Sequence, residues 1–278
     1  MKKFFIKKIV FISLLFSFLI LSACDKYSDF DKYSDSENID FTYHIDVKNL
    51  RIFAKEDVSP NFLNNVGTAY EAMFTDASMI DPNMRSRYLS ISKSEHTYQR
   101  VGVESSFEKN NDYAYGNPPS PYDDNATDYI WELNEGGKEQ VGEVIEHLLH
   151  TITTVILYLT YPEAWDYNES TSALSLAMQE AVDKGIYDIS SYDELKNDTE
   201  IYQKVLTQEY AYWLILAEWD YYITAGKKRE GISGNEEFII GTPAEIEVQL
   251  PIGHQLYQDY VVKILSTPDK ATITSLFL

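Results

Sequence analysis

One cysteine, Cys24, stands among 278 residues. A lone cysteine excludes disulfides within the chain and any metal site built from several thiolates. Basic residues are scarce too, with 23 Lys+Arg against 44 Asp+Glu and a net charge of −21. The first 23 residues hold four of those lysines and no acid, so the remainder carries −25. Phosphate contacts need clustered Lys and Arg, so nucleic acid is excluded as a partner. Electrostatic attraction to anionic lipid is disfavoured for the same reason. No Gly-rich phosphate loop with its lysine precedes a helix, and no G-x-S-x-G turn occurs, so nucleotide and α/β-hydrolase chemistry lack support. No repeat of 20–50 residues is present. What the chain does have is 44% hydrophobic and 14% aromatic residues, including 22 tyrosines. That composition folds around a real core.

Residues 1–24 read MKKFFIKKIVFISLLFSFLILSAC. A basic start, an apolar run from Ile9 to Leu21 and small residues Ser22 and Ala23 have the layout of an export signal. The run is shorter than the roughly 20 residues that span a bilayer. Leu21-Ser22-Ala23-Cys24 resembles the lipobox of bacterial lipoproteins. The resemblance implies a signal peptide over 1–23, cleavage before Cys24, and lipid on its sulfur and new amino terminus. That removes Cys24 as a nucleophile and places the protein in the cell envelope, outside the cytoplasm and anchored to a membrane. The tandem DKYSDF-DKYSDS at 25–36 is polar and unpatterned, and residues 24–39 read as a flexible tether.

Residues 40–278 read as one α+β domain, with strands and a helix first and a mainly helical C-terminal half. Strands are expected over 40–53, 86–92 and 96–103, from β-branched and aromatic content. Ser59-Pro60 predicts a helix start, with Phe62, Leu63, Val66, Tyr70, Met73 and Phe74 at helical spacing. Residues 110–128 are dense in Asn, Pro, Asp and Gly and predict a long loop. Asp123, Asp124, Asn125 and Asp128 there could in principle meet calcium, but without EF-hand spacing a solvated acidic loop is the better reading. Helices are expected over 138–160, 171–184, 191–197, 200–225 and 254–266, with Pro162, Gly185, Gly226 and Pro268 as stops.

The helix at 138–160 is the candidate for a metal or catalytic site, with a structural polar network or an exposed polar face as the alternatives. Val141, Val144, Ile145, Leu148, Leu149, Ile152, Val155, Ile156 and Leu159 fall within an arc of roughly 140° at 100° per residue. Glu143, Glu146, His147 and His150 share the opposite side, at spacings where side chains meet. The face continues into uncharged Thr154, Leu157 and Tyr158, so the helix is expected to be buried on most sides. Charged groups midway along a buried helix need partners or a metal. His44 and His96 are assigned to strands, and His254 to a helix start.

Glu146-His147-Leu148-Leu149-His150 resembles the HExxH helix of the zincin metallopeptidases, with its first two residues exchanged. Carried over by position, Glu146 and His150 would be zinc ligands and His147 would face the water. Carried over by residue type, His147 and His150 would be ligands and Glu143 or Glu146 the catalytic base. The resemblance implies a third ligand from a later helix. In the helix at 200–225, Glu209 lies between Val205, Leu206, Trp213 and Leu216, a costly place for an unpartnered acid; Glu218 lies on the other side. The run Glu209-Tyr210-Ala211 resembles the later glutamate helix of small zincins, and the order of strands, metal helix and glutamate helix is similar to a zincin layout. The implied set is His147, His150 and Glu209 on zinc, Glu146 and Glu143 in catalysis, and Tyr158 or Tyr210 as oxyanion donor, acting on a peptide or protein substrate. The competing expectation is a non-enzymatic extracytoplasmic lipoprotein that binds a ligand or scaffolds a complex. A third is a structural network of His147, His150 and Glu209.

Overall fold

The computed structural model describes residues 40–114, 116, 118–122, 128–227 and 237–278. The leader, the whole tether including Cys24, and Asp123, Asp124 and Asn125 lie outside the described residues. The fold is α+β, with a four-stranded sheet near the N-terminus followed by mostly helical chain.

β1 (Tyr43–Val47) and β2 (Leu50–Ala54) form an antiparallel hairpin. Its two-residue turn places Lys48 at φ 47° and Asn49 at φ 68°, the left-handed pair that matches the twist of the flanking strands. β3 (Tyr98–Val103) and β4 (Tyr129–Glu132) add in parallel, giving the order β1-β2-β3-β4. Alternation sorts the sheet by face. Ile52, Ala54, Val101 and Ile130 enter the main core, while Phe53, Tyr98 and Tyr129 pack with Phe41 on the other side.

α1 (Pro60–Ala72) begins as expected, with Ser59 Oγ accepting from Phe62 N at 3.1 Å. Glu132 at the end of β4 accepts from the Ser59 amide and hydroxyl, at 2.9 and 2.6 Å. α2 (Pro82–Ser94) corrects the strand expected at 86–92. Asp81 caps it through bonds to the Asn83 and Met84 amides, and Pro82 occupies the first turn. The segment buries only Tyr88 and Ser92, one turn apart, which is helical spacing. His96 turns the chain at φ 49° before β3 begins, instead of lying in the strand. α3 (Glu104–Lys109) follows β3.

α4 (Gly137–His150) carries the site and packs along β4. It runs directly into a π-helical stretch, Thr151–Leu157, and a last turn, α5 (Tyr158–Thr160). Six consecutive β-branched residues, Thr151 to Ile156, crowd the helix there. Thr153 Oγ1 donates back to Leu149 O at 2.8 Å, a bond that competes for the helical carbonyl. The remaining helices are α6 (Pro162–Trp165), α7 (Ala173–Asp183), α8 (Thr199–Glu218), α9 (Pro243–Gln249), α10 (Pro251–Leu256), α11 (Val262–Ile264) and α12 (Lys270–Phe277). A 3-10 stretch covers Ser190–Asn197, and a second π-helical stretch, Tyr257–Val261, joins α10 to α11. α8 is the central helix, with Tyr210, Ala211, Tyr212, Leu214, Ile215, Leu216 and Ala217 fully buried. No helix among the described residues is long and apolar enough to cross a membrane.

Candidate metal site

Two side chains of α4 bind it to the outer edge of the sheet. Gln140 Nε2 donates to Trp131 O at 2.8 Å and its Oε1 accepts from Leu133 N at 2.7 Å. Glu143 Oε1 accepts from Trp131 N at 2.8 Å. These bonds place the polar face of α4 beside the start of β4, where Asp128 lies. A second tie reaches the same place through β3. Thr151 Oγ1 donates to Gln99 Oε1 at 2.5 Å, and Gln99 Nε2 donates to Asp128 O at 2.8 Å.

Asp128, His147, His150 and Glu209 form a cluster that could hold a metal ion, with His150 buried, His147 and Glu209 half-buried and Asp128 exposed at its rim. His150 is 1% exposed and Asp128 52%. Asp128 Oδ2 lies 3.1 Å from His150 Nδ1 and 3.9 Å from His147 Nδ1. On the far side of each ring stands a carboxylate. Glu143 Oε1 is 3.2 Å from His147 Nε2, and Glu209 Oε1 is 3.5 Å from His150 Nε2. The two rings meet edge to face at 5.2 Å. Gln208 Nε2 is 2.8 Å from Asp128 Oδ2 and 3.1 Å from His150 Nδ1.

The donor atoms divide into two sets that share only His150. Asp128, His147 and His150 are one; Glu146, His150 and Glu209 are the other. The implied trio of His147, His150 and Glu209 is therefore spread over both, with His150 common to them. Buried His147 Nδ1 and His150 Nε2 have no hydrogen-bond partner. Glu146 Oε2 accepts from Lys227 Nζ at 3.1 Å. Lys227 also lies over the Trp213 and Tyr212 rings, at 5.3 and 5.7 Å. The turn that delivers it presses on α4 at Gly142, where a Cβ would come within 2.6 Å of Ala225 O.

The field of the cluster is visible in its ionisation. Burial pushes the His150 ring toward neutrality, but the charge of Glu209, the hydrogen bond to Asp128 and the charge of Glu146 raise its pKa to about 10. Burial pushes the Asp128 carboxyl up, yet the His150 hydrogen bond and the charges of His150 and His147 hold it well below the usual carboxylate range. Glu146 is likewise raised by burial and lowered further by Lys227 and the histidines. Perturbed ionisation of this kind is found at functional sites and in structural ion-pair networks alike.

The other candidate residues fall elsewhere. Tyr158 packs on Tyr167 at 5.2 Å. The Tyr210 hydroxyl is buried without a partner, where a Cβ on Gly253 would meet it at 2.5 Å. Tyr212, one turn along α8 from Gln208 and unremarked in the sequence, is the tyrosine against His150, at 5.9 Å between rings. His254 does not cap its helix; its Nδ1 pairs with Glu218 Oε1 at 2.7 Å. His44 lies buried in β1, as its strand position implied. Gln208 and Lys227 were missed as site residues, and Asp128 was weighed only for a calcium site in its loop, because all three reach α4 from distant parts of the chain. The sequence offered a signal only for Asp128, an acid at the end of a long loop. No protein family, curated protein or solved structure matches this chain.

Proposed function

We propose that this protein is a lipid-anchored, extracytoplasmic metallohydrolase of zincin type, with zinc held by Asp128, His147 and His150. The observation that carries the reading is the ring environment of the two histidines. Both turn Nδ1 toward Asp128, and both turn Nε2 toward a carboxylate, Glu143 or Glu209. A metal-binding imidazole characteristically gives its other nitrogen to a carboxylate, which fixes the ring and raises its basicity. Two histidines and one carboxylate leave a fourth position for water, as catalytic zinc sites do. When bound, zinc would lower the pKa of that water and polarise a substrate carbonyl. Asp128 puts the open position at the rim, where a peptide carbonyl can approach. Glu143 and Glu209 then act by holding the imidazoles, and burial of His150 keeps its ring fixed. The lipobox at 21–24 supports the anchor and the envelope location.

The Asp128–His150–Gln208 bonds and the Lys227–Glu146 pair favour a second reading, a closed polar network in a non-enzymatic lipoprotein. Elemental analysis of protein purified without chelator or affinity metal separates the two. About one zinc per chain, lost in His147→Ala and His150→Ala, is the expected result, followed by cleavage of a peptide library. Absence of metal in folded protein that also refuses added zinc refutes the metallohydrolase.

A further inference from the structure

The three-ligand set uses one nitrogen of His150. The other nitrogen, Nε2, points into a second set. It is buried in a side chain only 1% exposed, it has no hydrogen-bond partner, and Glu209 Oε1 lies 3.5 Å away. Glu146 completes the group, with its donor atoms and those of His150 and Glu209 all within 4.8 Å of one another. The buried Tyr212 hydroxyl faces the same carboxylate, and both the charge of Glu146 and a hydrogen bond to it act on the phenol. Among the described residues Glu209 meets no lysine or arginine, and its one ionic contact is His150.

One cation already stands at this place, and the chain supplies it. Lys227 Nζ is 3.1 Å from Glu146 Oε2 and lies over two aromatic faces. The turn carrying it is closed by Lys227 N donating to Tyr222 O at 2.8 Å, and by Gly226 at φ 72°. Gly142 lets the turn approach α4 closely, since any Cβ there would strike Ala225 O. A surface lysine free to wander would need none of these contacts.

We propose that Glu146, Glu209 and His150 Nε2 form a second, inner site for a divalent first-row ion, which Lys227 occupies with its own charge until the ion displaces it. The proposal rests on the metal reading above and extends it from one ion to two. A mixed imidazole and carboxylate set suits zinc, cobalt or copper better than magnesium or calcium. The inner ion would bind His150 Nε2 with loss to solvent of any proton held there, and with an ion on each nitrogen His150 would bridge the two sites as an imidazolate. With bonds of about 2.0 Å on opposite nitrogens, the ions stand about 6 Å apart. An ammonium on Glu146 makes the second binding step the weaker one.

The test is a zinc titration of the full-length protein, first stripped of metal, with bound ion counted by elemental analysis. Two variants accompany it. Lys227→Met removes the internal cation, and Glu146→Gln removes an inner ligand that plays no part in the first set. The expected result is two ions per chain, the second bound at least tenfold more tightly in Lys227→Met and lost in Glu146→Gln, with the first ion still bound in both. Copper loaded into both positions should lose much of its electron paramagnetic resonance signal through coupling across the imidazolate. A single ion in both wild type and Lys227→Met overturns the inner site and leaves the metallohydrolase standing. A second step that Lys227→Met weakens or leaves unchanged overturns the role of Lys227. No ion in any of the three proteins overturns both readings.

Discussion

The raised pKa of His150 makes the metal-free protein lose stability as the solution turns alkaline. The unfolded ring titrates near 6.5 and the folded one near 10. A group whose folded pKa is raised contributes its full stabilisation below the unfolded value, and loses it as pH rises through the folded one. Between pH 7 and 9 the loss is on the order of 2–3 kcal/mol for this single group. Solvent screening does not dilute it, because the ring is 1% exposed. Urea denaturation of stripped protein at pH 7, 8 and 9 reads the effect directly. In His150→Gln the overall stability falls, since Asp128 and Glu209 lose their cation, but the fall between pH 7 and 9 should shrink to a small fraction of the wild-type value. A wild-type curve equally flat over that range would refute the electrostatic account of the cluster.

Zinc binding at pH 8 should release about one proton from His150, whereas an ordinary histidine would release almost none; calorimetry in buffers of different ionisation enthalpy counts it. Gly142→Ala should destabilise the fold by about 1–3 kcal/mol, because its Cβ would lie 2.6 Å from the Ala225 carbonyl; chemical denaturation measures this. Gln140→Leu strips the Trp131 carbonyl and Leu133 amide of their partner and should cost about 2–4 kcal/mol, with thermal unfolding as the readout. Asp128→Asn should weaken zinc by 10-fold or more while leaving the protein folded, as a competition assay against a chromogenic chelator would show.

The hairpin, α1, α4, α7 and α8 were legible because their signals are local: a cap, a proline, a period of apolar residues. α2 was not. Leu89 to Ser92 alternates like a strand, and the helical nature of the segment shows only in the Asp81-Pro82 start and the Tyr88–Ser92 spacing. β4 is four residues long and followed a loop, so its run was too short to stand out. The π stretch has a local cause, the β-branched run from Thr151 to Ile156. It also spoils any projection of the site face beyond His150, since a wheel drawn at 100° per residue no longer holds there. Of the site, the α4 face and Glu209 could be found from helical spacing and from the cost of an acid among apolar neighbours. Asp128 could not be placed against His150, because the parallel pairing of β4 with β3 decides where it stands. Lys227 comes to Glu146 from 81 residues away, a distance over which no periodicity carries.

The bonds that tie α4 to β4 bear on how a peptide could be recognised. Many peptide binders add the incoming chain to an exposed strand and let backbone pairing supply the affinity. Here the outward amide and carbonyl of Trp131 and the amide of Leu133 are already taken by Glu143 and Gln140. An extended peptide reaching the rim at Asp128 would find no ladder to join at these positions. Its selection would rest on side-chain shape and charge, and sequence preferences would show as discrete pockets along the substrate, without the tolerance that backbone-led capture confers.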